Sequence, residues 1–284
     1  MKKKNRAIIM NLVIEWVVIY DAYRGCSSVS PEAIQEITMI IPTNPENQVS
    51  ACSSATLLSI SQITELASWK AIASQNNSLS QFELAHRAVG LQERLQNELQ
   101  LFLSMLSRPN ELESRKNERC WGASLADDAT WQGLSPAAKF IDEISDHVWH
   151  RSIKQCSQVI FVLAAQIYLY AVMSGSNHKL PEIQNAVSQA VLKMKELEQL
   201  AVGRNLCMFG LSWPWCIVGC MIGDGSEMVS SDKQWFVKLV KNSSWAATSD
   251  PTRLLEVVRQ SWKLLESGPV DGLVWSLAIL NLTV

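Results

Sequence analysis

The side chains best suited to metal chemistry form one cluster, in which His147 and His150 lie beside Glu143 and Asp146. If this segment is helical, groups three and four positions apart share a face, and imidazole with carboxylate is a ligand set for metals such as zinc. A di-metal bundle also needs a Glu-x-x-His pattern on another helix, and we do not expect one here. A solvated helix face is therefore the favoured interpretation, with a metal site as the alternative.

Two thiols could also do chemistry, because Cys216 and Cys220 are four positions apart and would share one helical face. No histidine or further cysteine pair lies near them in the sequence, so zinc would lack ligands. A redox site would favour Cys-x-x-Cys at a helix N-terminus. We predict two buried thiols.

The sequence contains no complete motif of a common catalytic loop. The nearest approach to a Gly-x-Ser-x-Gly elbow is residues 223–226, Gly-Asp-Gly-Ser, and no predicted strand precedes it. Phosphate-binding loops of the Walker or Rossmann type are missing from the sequence. We therefore expect no catalytic residue, no cofactor-binding residue and no metal ligand, and the protein is not predicted to be an enzyme.

The amino-acid composition limits the classes of partner and the compartment that we expect for this protein. The chain has 284 residues, of which 48% are hydrophobic, and its 25 basic and 27 acidic residues give a formal net charge of -2. That balance provides no electrostatic footprint for nucleic acid or an acidic membrane surface. The seven cysteines are dispersed, which favours reduced thiols in a reducing compartment. The eleven tryptophans are spread along the chain and are expected to anchor a core.

The N-terminus resembles a signal peptide at first sight, with Lys2, Lys3 and Lys4 before an apolar run over residues 7–20. Glu15 interrupts this run, and the run is shorter than the roughly 20 residues that a spanning helix needs. A buried first helix is predicted, and a secreted or anchored protein is the alternative.

Helical periodicity dominates the rest, and the predicted fold class is all-α, an irregular multi-helix bundle. We expect helices over residues 54–73, 80–105 and 136–174, the last one apolar on all sides in its second half and central in the bundle. Further helices are expected from residues 181 and 251, within the segment 206–220, and over residues 270–282. Residues 1–284 are predicted to form a single domain, with 108–135 as a loop or disordered insertion.

Local signals position these helices. Ser80 and Glu83 form a predicted capping box, Gly175 a predicted C-cap, and Asp250-Pro251 a predicted helix start. The exposed face of the second helix is expected to carry Glu93, Arg94, Asn97 and Glu98. The predicted core or capping anchors are Trp69, Trp213, Pro214 and Trp262.

Four pieces of this chain, in their order and spacing, resemble the C-terminal regulatory region of fungal zinc-cluster transcription factors, known as the fungal-specific transcription factor domain. The resemblance covers nearly the whole chain. Its segments are residues 15–22 (EWVVIYDA), 63–70 (ITELASWK), 165–175 (AQIYLYAVMSG) and 211–220 (LSWPWCIVGC), the last followed by a helix containing Ser261-Trp262-Lys263.

The resemblance implies an all-helical domain that regulates activation, nuclear residence and often dimerisation or effector response. It also implies protein partners and contact with DNA only through another segment or chain. The family's zinc cluster requires six cysteines in two similar halves, an array that this sequence lacks. The resemblance also begins partway into the family's helical region, so we expect a truncated member, a shortened gene product or a gene model that lacks its 5' exons. We therefore expect no residue of this chain to bind zinc, and we expect no cofactor.

One alternative remains open, because a bundle rich in tryptophan and methionine could enclose an apolar ligand. A small-molecule-binding or enzymatic helical protein would have a cavity lined by convergent polar groups. A core filled by side chains would disfavour that class.

Overall fold

The predicted all-α class is confirmed. A computed structural model describes residues 52–107, 136–201, 211–223, 227–242, 251–268, 270 and 273–276, and within these ranges it contains helices and no strand. The helices are α1 (Ser54–Gln75), α2 (Gln81–Ser107), α3 (Pro136–Ser174), α4 (Pro181–Ala201), α5 (Ser212–Met221), α6 (Glu227–Asn242) and α7 (Pro251–Glu266). Residues 274–276 form one more helical turn.

Some predictions fall outside these ranges. They concern the apolar run of residues 7–20, the segment 15–22, the insertion 108–135, the N-cap Asp250, and the Asp-Gly-Ser part of the turn at 224–226. Of the predicted terminal helix over 270–282, the structure describes residues 270 and 273–276.

Helices α1 and α2 form a hairpin with well-defined ends. Ser53 caps α1 by accepting a hydrogen bond from the Thr56 backbone N–H at 3.0 Å. The chain leaves α1 through Asn77, whose φ of 52° lies in the left-handed region that asparagine tolerates. Ser80 then caps α2 by accepting from the Glu83 N–H at 3.3 Å, while the Glu83 carboxylate accepts hydrogen bonds from Arg87. The serine half of the predicted capping box is thus confirmed.

Helix α3 is the centre of the bundle, as predicted. It begins at Pro136 and packs against α1, α2, α4 and α5. Residues 156–169 are all buried, so this half of the helix has no solvent-facing side. Arg151–Ser174 is long and apolar enough to cross a bilayer by length and composition, but 83% of its apolar window is buried inside the protein. Gly175, with a φ of 76°, ends the helix as expected of a C-cap glycine.

A short connection after α3 fastens the last described part of the chain. The Ser176 backbone N–H donates to the Val270 carbonyl at 3.0 Å, and the Ser176 hydroxyl accepts from the Val274 N–H at 2.9 Å. Ser176 therefore caps the turn at 274–276 from almost 100 residues away in the sequence. This turn carries Trp275 into the core, where it is fully buried.

The C-terminal helices pack around α5. Every residue of α5 from Trp213 to Met221 is buried. Helix α7 packs against α5, and α6 packs against α7 and reaches the core through Phe236, Leu239 and Val240. The predicted apolar stripe of α7 is buried at all positions except Trp262, which is half-buried.

Candidate functional site

Segments that are far apart in the sequence meet at Tyr168, which lies on α3 and is fully buried. Its hydroxyl donates to the Thr64 hydroxyl of α1 at 3.1 Å. Its ring makes edge contacts with Trp213 of α5, at 6.2 Å between centroids, and with Trp275, at 5.8 Å. Trp213 also stacks on Phe161 at 6.1 Å. This aromatic cluster of Phe161, Tyr168, Trp213 and Trp275 joins α1, α3, α5 and the last described turn, and it confirms Trp213 as a core anchor.

The end of α5 is held by α7. Trp262 donates its indole N–H to the Gly219 carbonyl at 2.8 Å. This carbonyl lies at the end of the helix and also accepts from the Ile222 backbone N–H at 3.4 Å. Ser261 donates to the Cys220 sulfur at 3.2 Å. Trp262 is therefore a capping anchor, as predicted, whereas Pro214 lies buried within the first turn of α5.

The end of α3 is held by α1. The Lys70 ammonium donates to the carbonyls of Val172 and Met173, at 2.6 and 3.3 Å. A cation is favourable there, because the last carbonyls of a helix carry partial negative charge. The neighbouring Trp69 is half-buried against the core, with the Arg87 guanidinium 4.4 Å from its ring centroid.

The predicted buried thiols are confirmed. Cys216 and Cys220 are free and buried, with their sulfur atoms 4.0 Å apart. The hydrogen bond to Cys220, followed by burial, raises the pKa of the Cys216 thiol well above its ordinary value. Burial likewise raises the pKa of Cys156 to about 12. Thiols with raised pKa values are protonated at neutral pH and are poor nucleophiles.

The candidate metal cluster lies on α3, in a stretch, residues 136–150, whose side chains the structure does not describe. Among the described side chains, no group of three or more His, Cys, Asp and Glu residues is placed to hold a metal ion. Our expectation that no other Glu-x-x-His pattern exists is wrong, since Glu83 and His86 on α2 form one. The Glu83 carboxylate pairs with Arg87, and the His86 ring stacks on Phe82.

The aromatic cluster contains a feature that the sequence did not reveal. The indole N–H groups of Trp213 and Trp275 are buried and have no hydrogen-bond acceptor. Buried donors of this kind are rare in proteins, and each costs about 1 to 3 kcal/mol of desolvation. Packing of the large rings offsets that cost here, because both side chains have no exposed surface.

Glu98 corrects another prediction. It is not on the solvent-facing side of α2 but is half-buried against the start of α1. Its carboxylate accepts hydrogen bonds from the Ser53 hydroxyl at 2.7 Å and from the Thr56 hydroxyl at 3.1 and 3.2 Å. Sequence spacing missed this because the angular position of Glu98 borders the buried face, and the polar partners come from the other helix.

The two hydroxyls do not fully compensate the burial of Glu98. Desolvation is the largest effect and raises the pKa of the carboxyl, while the hydrogen bonds from Ser53 and Thr56 lower it. A carboxyl whose pKa is higher in the folded state than in the unfolded state contributes stability below the unfolded pKa and loses it as pH rises through the folded pKa. The ionised form of Glu98 is therefore the form that burial destabilises.

We expect Glu98→Gln to raise the free energy of unfolding more at pH 7 than at pH 5. The amide carbonyl still accepts from the hydroxyls, and the desolvated charge is gone. Urea unfolding of both proteins at the two pH values measures the difference. A stabilising effect that grows on acidification would contradict the raised pKa, and Glu93→Gln on the exposed face is the matched control.

The described residues thus define an all-helical domain in which the segments 63–70 and 211–220 each contact the segment 165–175. The sequence profile of the fungal-specific transcription factor domain matches residues 13–277. The chain belongs to this family, whose members act in the regulation of transcription.

Two curated relatives share one name, trichothecene biosynthesis transcription regulator TRI10. The protein from Fusarium sporotrichioides is 22% identical over 257 residues, which cover 88% of this chain and 48% of the relative. The protein from Trichoderma arundinaceum is 29% identical over 111 residues, which cover 38% of this chain and 23% of the relative. The chain therefore spans about half the length of the first relative or less. No solved structure matches the chain.

Proposed function

We propose that this chain is a nuclear transcriptional regulator whose helical domain controls regulatory output through contacts with other proteins. The observation that carries the proposal is the family match over residues 13–277. Within it, the segments 63–70 and 211–220 both contact Tyr168 of the segment 165–175. DNA is reached through another segment or chain, because this sequence contains no six-cysteine array and has a net charge of -2.

A regulatory role, without enzymatic activity, is supported by how the reactive groups are used. The thiols of Cys216 and Cys220 are shielded from solvent, and the Lys70 ammonium donates hydrogen bonds to two carbonyls at the end of α3. The aromatic cluster is filled by its own side chains, which disfavours a ligand cavity at that position. These contacts fit a domain that serves as a scaffold for interaction surfaces.

The proposal predicts a transcriptional phenotype that depends on the folded domain. Deleting the gene in its host should change the abundance of a discrete set of transcripts, measured by RNA sequencing. Because both relatives are named as regulators of a biosynthesis, transcripts of biosynthetic gene clusters are the first set to examine. Complementation with the exposed-site variant Leu192→Ala should restore the wild-type profile, whereas Trp213→Ala should not.

An unchanged transcriptome after deletion would contradict the proposal. A fluorescent-protein fusion of the full chain provides the second measurement, and we expect its signal in the nucleus. A fusion that complements the deletion from outside the nucleus would contradict the nuclear part of the proposal alone.

A further inference from the structure

A groove runs along the outer side of the α1–α2 hairpin. It has a volume of about 310 Å³ and is lined by Ala55, Leu58 and Ser59 of α1 and by Arg94, Asn97, Glu98 and Leu101 of α2. Arg94, Asn97 and Leu101 follow Gly90 at intervals of four, three and four residues, which places all four on one face of α2. The groove is therefore partly apolar, and Gly90 lies on the same face of α2, one turn before the first α2 residue that lines it.

Gly90 at one end of this face has no role in the packing of the described chain. A β-carbon added there would meet nothing within 4 Å, and the residue lies in the interior of a 27-residue helix. Glycine in a helix interior destabilises the helix relative to alanine, so internal packing does not explain it. Absence of a side chain instead permits another backbone to approach α2 closely at this point.

Arg94 and Glu98 are the two charged residues that line the groove, and Arg94 is the exposed one. Its Nε donates to the Gly90 carbonyl at 3.2 Å, and it takes part in no ion pair with the described residues. Glu98, one turn further along, has the i, i+4 spacing that commonly forms a salt bridge. Its carboxylate is engaged by Ser53 and Thr56 instead. Within the described part of the chain, a cation without a carboxylate partner thus lies beside apolar surface, since Leu101 is 50% exposed.

We propose that this groove docks an acidic amphipathic helix of a partner protein. The four α2 positions extend over about 16 Å at 1.5 Å per residue, which matches a partner helix of about three turns. Apolar side chains on one face of that helix contact Leu58 and Leu101, its backbone approaches Gly90, and a carboxylate at its edge pairs with Arg94. Recognition through spaced apolar anchors plus a charge is the usual form of helix-in-groove binding.

The probe is a fluorescein-labelled, hydrocarbon-stapled helical peptide of about 14 residues, with leucine on one face and glutamate on both flanks. Its binding to the full chain is measured by fluorescence anisotropy. We expect Arg94→Glu to weaken binding about fivefold or more, and a peptide with lysine in place of glutamate to recover that loss on this variant. Lys238→Glu, an exposed charge reversal on α6, is the matched control and should leave binding unchanged.

Gly90 provides the steric test. Gly90→Leu should weaken binding about tenfold or more by keeping the peptide backbone away from α2. If this variant does not fold, Gly90→Ala serves in its place, because alanine favours the helix and still adds the β-carbon. Weaker peptide binding by a chain that is more stable is an outcome that general unfolding cannot produce.

Three results would overturn the proposal. The first is no saturable binding of the glutamate peptide up to about 1 mM. The second is equal affinity of the wild type, Arg94→Glu and Gly90→Leu. The third is self-association of the wild-type chain in sedimentation velocity that Leu101→Glu abolishes, because the groove would then hold a second copy of this chain.

Discussion

Replacing Trp213 with alanine should lower the free energy of unfolding by about 3 to 5 kcal/mol, the largest effect expected for a single substitution here. The side chain has no exposed surface and contacts Phe161 and Tyr168. Its loss removes apolar burial and leaves a cavity where α3 and α5 meet. Urea unfolding followed by far-ultraviolet circular dichroism measures the change.

Two controls separate packing from general sensitivity. Trp213→Phe should cost much less than alanine, because the ring still fills part of the space and the unpaired indole N–H is gone. Leu192→Ala, at a leucine that is 64% exposed, should stay within about 0.5 kcal/mol of the wild type. A loss below about 1 kcal/mol for Trp213→Ala would contradict the burial of this residue.

Gly219→Ala should destabilise the protein by about 1 to 3 kcal/mol, the cost typical of overpacking. A β-carbon at Gly219 would lie 2.5 Å from the Cζ atom of Phe236, so the buried Phe236 ring would have to shift, or α6 would have to move with it. The same change at Gly90, where a β-carbon meets nothing, should stabilise the protein by about 0.5 to 1 kcal/mol. Thermal and urea unfolding of the two variants side by side provide a matched comparison.

A double-mutant cycle identifies the clash. Phe236→Leu removes the ring atoms that the new methyl group would meet, so the two changes together should cost less than the sum of their separate costs. Strictly additive costs would show that Gly219 is required for another reason.

Much of the fold follows from local sequence signals. Pro136, Gly175 and Pro181 mark helix ends that the structure confirms. The all-apolar second half of α3 predicts its central position, because only a helix surrounded by others can bury every side. These features depend on periodicity and on backbone preferences of single residues, which a sequence displays directly.

The candidate sites are harder to predict from the sequence, because they depend on which helices pack against each other. Trp213 is predictable as a core residue, but the missing acceptor for its indole N–H and its contacts with Phe161 and Tyr168 depend on how the helices pack. Lys70 is part of a recognisable segment, yet its role at the end of α3 depends on a contact between residues more than 100 positions apart. The groove likewise depends on how α1 and α2 pack, because residues of both helices line it.

The hydrogen bonds of Ser176 constrain the order in which this protein folds during its synthesis. On the ribosome the chain appears from its N-terminus, and domains assemble as their parts emerge. The α1–α2 hairpin can form early, because its two helices are neighbours in the sequence. The Ser176 hydroxyl can accept its hydrogen bond from the Val274 N–H only after almost 100 further residues have been synthesised. Until then Tyr168 lacks Trp275, and the nascent core stays open on that side.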